Sequence, residues 1–177
     1  MMRQGRRAVM AASVLAPAAV WAQKRLEVPL KWYAVKADGD SFTVEMPGIP
    51  DHKVLNDATS RGTPFALHSY SLEVGGNSYV AQTALYPVDV DTSQPRRVLQ
   101  AALDARARQL AGGKWATTGW SEIGGAAAVD STGGLPNGSQ LRQLAVLKER
   151  RFVSLAFMGP TVATADADRF FKSLKIK

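Results

Sequence analysis

The 177 residues predict an α+β fold with a central antiparallel sheet flanked by helices on both faces, an α/β/α sandwich. Three observations carry this. The strand-like segments are joined by hairpin-length connections, which antiparallel pairing requires. Two segments, near 95–110 and 163–174, carry helical rather than two-residue periodicity. Apolar parity also differs between strands. It is one-sided over Ala66–Val74, where Ala66, His68, Tyr70, Leu72 and Val74 alternate with Ser69, Ser71 and Glu73. It is two-sided over Ser78–Tyr86 and Phe152–Met158, so the sheet centre needs cover on both faces and an edge does not.

The elements follow in order. Gln23 to Val28 reads as a polar lead-in. Trp32–Val35 and Phe42–Met46 pair around the turn Ala37-Asp38-Gly39-Asp40. Pro47-Gly48-Ile49-Pro50 stops the second strand, since prolines cannot donate to a ladder. His52–Asn56 reads as a short edge strand, and Thr63–Val74 and Ser78–Tyr86 as a hairpin around Gly75-Gly76-Asn77. A polar loop, Val88–Gln94, leads into the clearest helix, with Ser93 as cap, Pro95 in the first turn and Gly112-Gly113 as stop. Leu99, Ala102, Leu103, Ala107 and Leu110 form its apolar stripe. Trp115–Trp120 and Glu122–Asp130 read as strands, and 133–138 as a glycine-rich loop. Gln140–Lys148 and Phe152–Met158 read as a hairpin around Glu149-Arg150. A last helix is expected over Ala163–Leu174, with Asp166 and Asp168 early and Lys172 and Lys175 late, as the helix dipole favours. Besides the short edge strand, the order is four strands, helix, four strands, helix.

The first 22 residues read as a cleaved export signal. Arg3, Arg6 and Arg7 precede the uncharged stretch Ala8–Ala19, and Ala19 and Ala22 stand where a signal peptidase requires small residues. The stretch is shorter than the ~20 apolar residues of a membrane span. Arg6-Arg7 is similar to a twin-arginine signal, but without its usual neighbours the ordinary secretory route fits better. The mature part, 23–177, is then expected to be one globular domain in the periplasm that does not span the membrane. Removing the signal lowers the net charge from +7 to +4, with 19 basic against 15 acidic residues of mixed order. That reads as solubility rather than a nucleic-acid footprint. Cysteine is absent, which excludes disulfides, a lipid-anchored N-terminus and thiol catalysis. A chain of this size buries roughly 70% of its unfolded surface and must rely on that core.

Two segments carry a resemblance. Phe42-Thr43-Val44-Glu45-Met46-Pro47-Gly48-Ile49-Pro50 is a strand with a Pro-Gly-x-Pro stop, and Arg169-Phe170-Phe171-Lys172-Ser173-Leu174 is a helix with two consecutive aromatics. With a basic helix between two groups of strands, this resembles small exported bacterial domains of the PsbP/Mog1-like fold, over about Trp32–Ile176. The resemblance implies binding and assembly roles, such as supporting a photosynthetic complex or contacting a small GTPase. It implies no catalytic or ligand residue, because the matching positions are core and turn residues.

Few residues suggest chemistry. The two histidines, His52 and His68, and the absent cysteine give no metal-site pattern, so no metal or cofactor is expected. His68 falls on the apolar parity of its strand and His52 beside a turn, where it is expected to be solvated. Asp89-Val90-Asp91-Thr92-Ser93 opens like a calcium loop, but Gln94 and Gln100 stand where an EF-hand needs Gly and Glu. Asp38-Gly39-Asp40 is a turn by residue type. Nucleophile elbows and phosphate-cradling loops are absent. Trp115 and Trp120 have opposite parity, so a regular strand would put them on opposite faces. The most suggestive polar feature is the basic helix. Arg96, Arg97, Arg106 and Arg108 could meet an envelope protein or another anionic surface, or simply face water with Asp104 as local partner.

Three functions remain. The first is a non-catalytic periplasmic protein that binds or supports a protein partner. The alternative is a small hydrophobic-ligand or lipid-binding domain, with a pocket between helix and sheet. The third is an enzyme with a dispersed site, which requires His68 to stand in a cleft beside carboxylates.

Overall fold

The computed structural model describes residues 30–37, 39 and 41–177. The export signal read at 1–22 and the lead-in at 23–28 lie outside the described residues. Within them the order is β1 (Tyr33–Lys36), β2 (Phe42–Met46), β3 (Asp51–Ala58), β4 (Pro64–Val74), β5 (Asn77–Leu85), α1 (Pro95–Ala107), β6 (Thr117–Ile123), β7 (Ala126–Gly134), β8 (Gln140–Lys148), β9 (Arg151–Gly159), α2 (Ala165–Lys172) and β10 (Lys175–Ile176). The main sheet runs β3-β4-β5-β9-β8-β7-β6, and β1-β2-β10 form a second, three-stranded sheet. All neighbouring strands are antiparallel.

Glycine pairs set two of the hairpins. Gly75 and Gly76 take φ of +60° and +78°, and Gly124 and Gly125 +57° and +73°. Two successive left-handed residues make the tight turn whose twist matches that of the strands.

Strand pleating sorts the side chains onto two faces. On one face the main sheet supplies Tyr79, Leu144, Val146, Leu155 and Phe157, the second sheet Phe42, Val44 and Met46, and α2 Ala167, Phe170 and Phe171. Thr164 caps α2 by accepting from Ala167 N at 3.1 Å. Ser173 Oγ ties α2 to β2, accepting from Glu45 N at 2.8 Å and donating to Phe170 O at 2.8 Å. On the other face Leu99 and Leu103 of α1 pack on Val129, Ala145 and Leu147 of β7 and β8. Beyond the helix, Leu110 packs on Leu141 and Ala156.

The expected antiparallel α+β sheet is present, but the sandwich is sheet-rich. One face is covered by a second sheet as well as the short α2, and α1 covers only half of the other. The Pro47–Pro50 break lets β1 and β2 leave the main sheet instead of joining it. The five strands before α1 include β3, which at eight residues is longer than the short edge strand expected. Local details differ as well. Ser93 does not cap α1; its backbone N–H donates to Asp91 Oδ1 at 2.9 Å, and Gln94 holds the cap position without a side-chain bond. The helix ends at Ala107, and Gly112 and Gly113 belong to a separate 3₁₀ turn. Gly124-Gly125 marks the turn that divides β6 from β7, so β6 ends three residues and β7 begins four residues later than expected, and Gly133 and Gly134 extend β7. Among the described residues no helix is long and apolar enough to cross a membrane.

Tyr79 lies at the centre of the larger core, edge-on to Phe157 and Phe170 at 5.1 and 5.4 Å. Its hydroxyl is buried without a hydrogen-bond partner among the described residues. Burial, with a smaller contribution from Asp166, pushes its pKa up to about 12. Tyr79→Phe keeps the ring and removes a desolvated hydroxyl, so a stability gain of about 1 kcal/mol is expected in urea melts. The unfolded chain ionises this group near 10. Folded stability should therefore fall as pH rises from 10 towards 12, and the Phe variant should lose that part of the alkaline decline.

Candidate binding groove

Because α1 sits over β7 and β8, the same face of β4, β5 and β9 is left as the floor of an open groove. The groove encloses about 560 Å³, within the range of small-molecule sites. Register lays its floor out in rows. Leu67, Ala84 and Phe152 form an apolar row, continued by Phe65 and Tyr86. Next to it Ser69, Gln82 and Ser154 form a polar row, with Gln82 Nε2 donating to Ser69 Oγ at 3.3 Å. A third row holds Ser71, Val80, Ala156 and Gln143. The wall is α1, through Ala102, Ala105 and Arg106, with Gln109 just beyond its end.

Since α1 starts beside Phe152 and ends towards Leu141 and Ala156, Arg106 stands over the polar rows. It is half-buried. Its Nη1 donates to Gln109 Oε1 at 2.8 Å, while its Nε is buried with no acceptor among the described residues. Burial pulls its pKa below the ordinary value, yet a guanidinium stays charged at physiological pH. No ion pair among the described residues includes it. Asp57, the carboxylate in the groove lining, belongs to the apolar end, where its charge and, more strongly, burial raise the pKa of Tyr86.

The four arginines of the helix region do not form one patch. Arg106 faces the groove. Arg96 lies on the opposite flank, 5.7 Å over the Trp120 ring. Arg97 and Arg108 are exposed, Arg97 towards Asp91 near the start of the helix. Asp104 accepts from Gln100 at 2.8 Å.

No family model matches the sequence, and no curated protein matches it. Among solved structures it is similar to the solution structure of cyanobacterial PsbP (CyanoP) from Synechocystis sp. PCC 6803. The two share 8% identity over 84% of this chain and 94% of that chain, with a TM-score of 0.50. The fold is PsbP-like. At that identity the likeness concerns the arrangement of elements and carries over no residue role.

The remaining polar candidates take structural places on this PsbP-like frame. A second hollow of about 520 Å³ continues past Phe65, Tyr86 and Ala102 to Arg61, Asp89 and Arg97. There Asp89 Oδ2 accepts from Thr63 Oγ1 at 2.8 Å and Thr59 Oγ1 at 3.0 Å, pinning the β3–β4 turn. Those bonds, that from Thr63 foremost, hold its carboxyl below the ordinary value. Asp91 is lowered by its bonds to Ser93. His52 is exposed as expected, stacks on Tyr70 at 4.4 Å, and lies 3.3 Å from His68, Nε2 to Nδ1. His68 is half-buried on the face away from the groove. Among the described residues no group of three or more His, Cys, Asp or Glu side chains is placed to hold a metal ion.

Trp115 and Trp120 both pack on the α1 side, because Trp115 precedes β6 and its parity does not apply. Trp115 Nε1 donates to Leu103 O at 3.0 Å, anchoring the helix. Sequence reasoning missed the groove floor itself. The Ser69 and Ser71 parity that read as a solvent face is this floor, and Ser69, Gln143 and Ser154 are buried in it.

Proposed function

We propose that this protein is a non-catalytic binding protein of the cell envelope, and that its groove holds an elongated amphipathic anion: an apolar body ending in a carboxylate or phosphate. The observation that carries this reading is the segregation of the groove, with Phe65, Leu67, Tyr86 and Phe152 at one end and Arg106 over Ser69, Gln82 and Ser154 at the other. A desolvated guanidinium with an unused donor is a costly feature that an anion would satisfy. The envelope placement rests on Arg3, Arg6, Arg7, the uncharged stretch behind them and the small residues at 19 and 22.

The test is calorimetric titration of the processed protein with a long-chain fatty acid and an alkyl phosphate. Micromolar binding by the wild type is expected, weakened about 10- to 100-fold in Arg106→Glu. Failure of the wild type to bind either probe would overturn the reading. A second reading, an acidic protein partner, is favoured by the exposed cations Arg97 and Arg108. Mild crosslinking in the envelope followed by mass spectrometry would then recover one stoichiometric protein, lost on Arg97→Glu/Arg108→Glu and retained in Arg106→Glu.

A further inference from the structure

At the end of the main sheet, β3 is the outermost strand among the described residues, and it is unusually open for an edge. All eight of its residues are exposed. It pairs with β4 without interruption from Asp51↔Ser71 to Ala58↔Pro64, so it carries no bulge, and no proline lies within it. Val54 and Leu55 are 53% and 46% exposed at its middle. Sheet edges are normally blunted by bulges, prolines or central charges, because their free N–H and C=O groups recruit another strand. Here the only central charge is Lys53, and an acid stands at the matching distance on the other side of Leu55.

We propose that β3 is the interface of a two-fold dimer of this chain, with β3 antiparallel to the partner's β3 and Leu55 opposite its own copy. Side chains directly opposite in an antiparallel pair share a face, so a two-fold axis normal to the sheet pairs only residues of equal parity. Centring on Leu55 places Lys53 opposite the partner's Asp57 and Asp57 opposite the partner's Lys53, with the two Leu55 side chains between them. His52 to Ala58 are then all paired within the strand. Shifting the centre to Val54 puts Asp51 opposite the partner's Asp57, and shifting it to Lys53 puts two lysines face to face. Like charges directly opposite are unfavourable. A shift to Asn56 sets Asp57 opposite the partner's Leu55 and Lys53 opposite a threonine, forming neither lysine–aspartate pair. The Leu55 register is therefore the one that gains two opposite-charge pairs while covering the apolar centre. It joins two seven-stranded sheets into one continuous sheet and brings the two grooves to the same side, next to each other.

Sedimentation equilibrium of the processed protein tests this across a concentration series from about 1 to 200 μM, the range where a single-strand interface assembles. The expected result is a reversible shift from monomer to dimer. Lys53→Asp, which sets aspartates opposite each other twice, should raise the dissociation constant at least about tenfold. Lys53→Asp/Asp57→Lys, which inverts both pairs, should restore it. Both positions are exposed, and an unchanged circular dichroism spectrum and melting temperature would certify each fold. A monomer at every concentration would overturn the proposal. So would a dimer indifferent to Lys53→Asp, or a double variant no better than the single one.

Discussion

Phe170→Ala is expected to lower the free energy of unfolding by about 3–5 kcal/mol, a large part of the 5–15 kcal/mol typical of a domain. Phe170 is fully buried. Its ring meets Tyr79 edge-on at 5.4 Å and Phe171 at 5.3 Å. It is therefore where α2, the second sheet and the main sheet meet, and a cavity there has walls on three separate elements. Such a cavity relaxes poorly, which places the cost in the upper part of the range for large-to-small changes. Urea denaturation would show the midpoint falling sharply with little change in slope. A loss below about 1 kcal/mol would mean that α2 and the second sheet contribute little to holding the main sheet in place.

The second large effect is expected at Arg142, the third residue of β8, on the same face. Its Nη2 donates to Asp130 Oδ2 at 2.7 Å, its Nε to both Asp130 oxygens at 3.2 Å, and its Nη1 to Asp168 Oδ1 at 3.0 Å. The guanidinium also lies 4.3 Å from the centre of the Phe171 ring. One side chain thus ties β7, β8 and α2 together while only 23% exposed. Arg142→Ala should cost about 2–3 kcal/mol, the range for hydrogen bonds to charged groups. Arg142→Lys should recover only part of it, because an ammonium lacks the planar fork. The effect should depend on pH. The hydrogen bond from Arg142, followed by Lys172, holds the Asp168 carboxyl below its ordinary 3.8. Its contribution is present above that value and is lost as pH falls through the lower folded value. The gap between wild type and Arg142→Ala should therefore narrow in urea melts taken below pH 3.8.

Much of this framework was legible in the residues. Glycine pairs and alternation located most strands, and the two-sided apolar parity of Phe152–Met158 identified the central strand β9 correctly. Other features depend on tertiary position. The residues Lys175 and Ile176 are too few to show a period, so β10 and the second sheet it completes were invisible. The parity of Ser69 and Ser71 reports that a face is polar, but not that a helix stands half over it. The four arginines read together as one basic helix, although helical geometry separates them. Arg106 lies between Leu103 and Leu110 on the border of the apolar stripe, while Arg97 and Arg108 lie far from it. That signal was present in the spacing. What the spacing does not contain is the lateral placement of α1 over β7 and β8, which decides that the border faces an open hollow.

The pairing of β5 with β9 at the centre of the main sheet also bears on how fast the chain can fold. The bond from Thr83 Oγ1 to Phe152 O spans 69 residues, and that from Glu45 N to Ser173 Oγ spans 128. Local hairpins form in about 1–10 μs, but seams closed across such distances must first overcome the entropy of a large loop. Sheets dominated by non-local pairing fold on the millisecond-to-second scale. The β3–β4–β5 and β6–β7–β8–β9 meanders are expected to form first and the β5–β9 seam to zip late, with β10 closing onto β2. In a chain with that kinetic order the two meanders are each complete while the main sheet is still open along its middle, so the last step of folding joins two preformed halves rather than adding strands one by one.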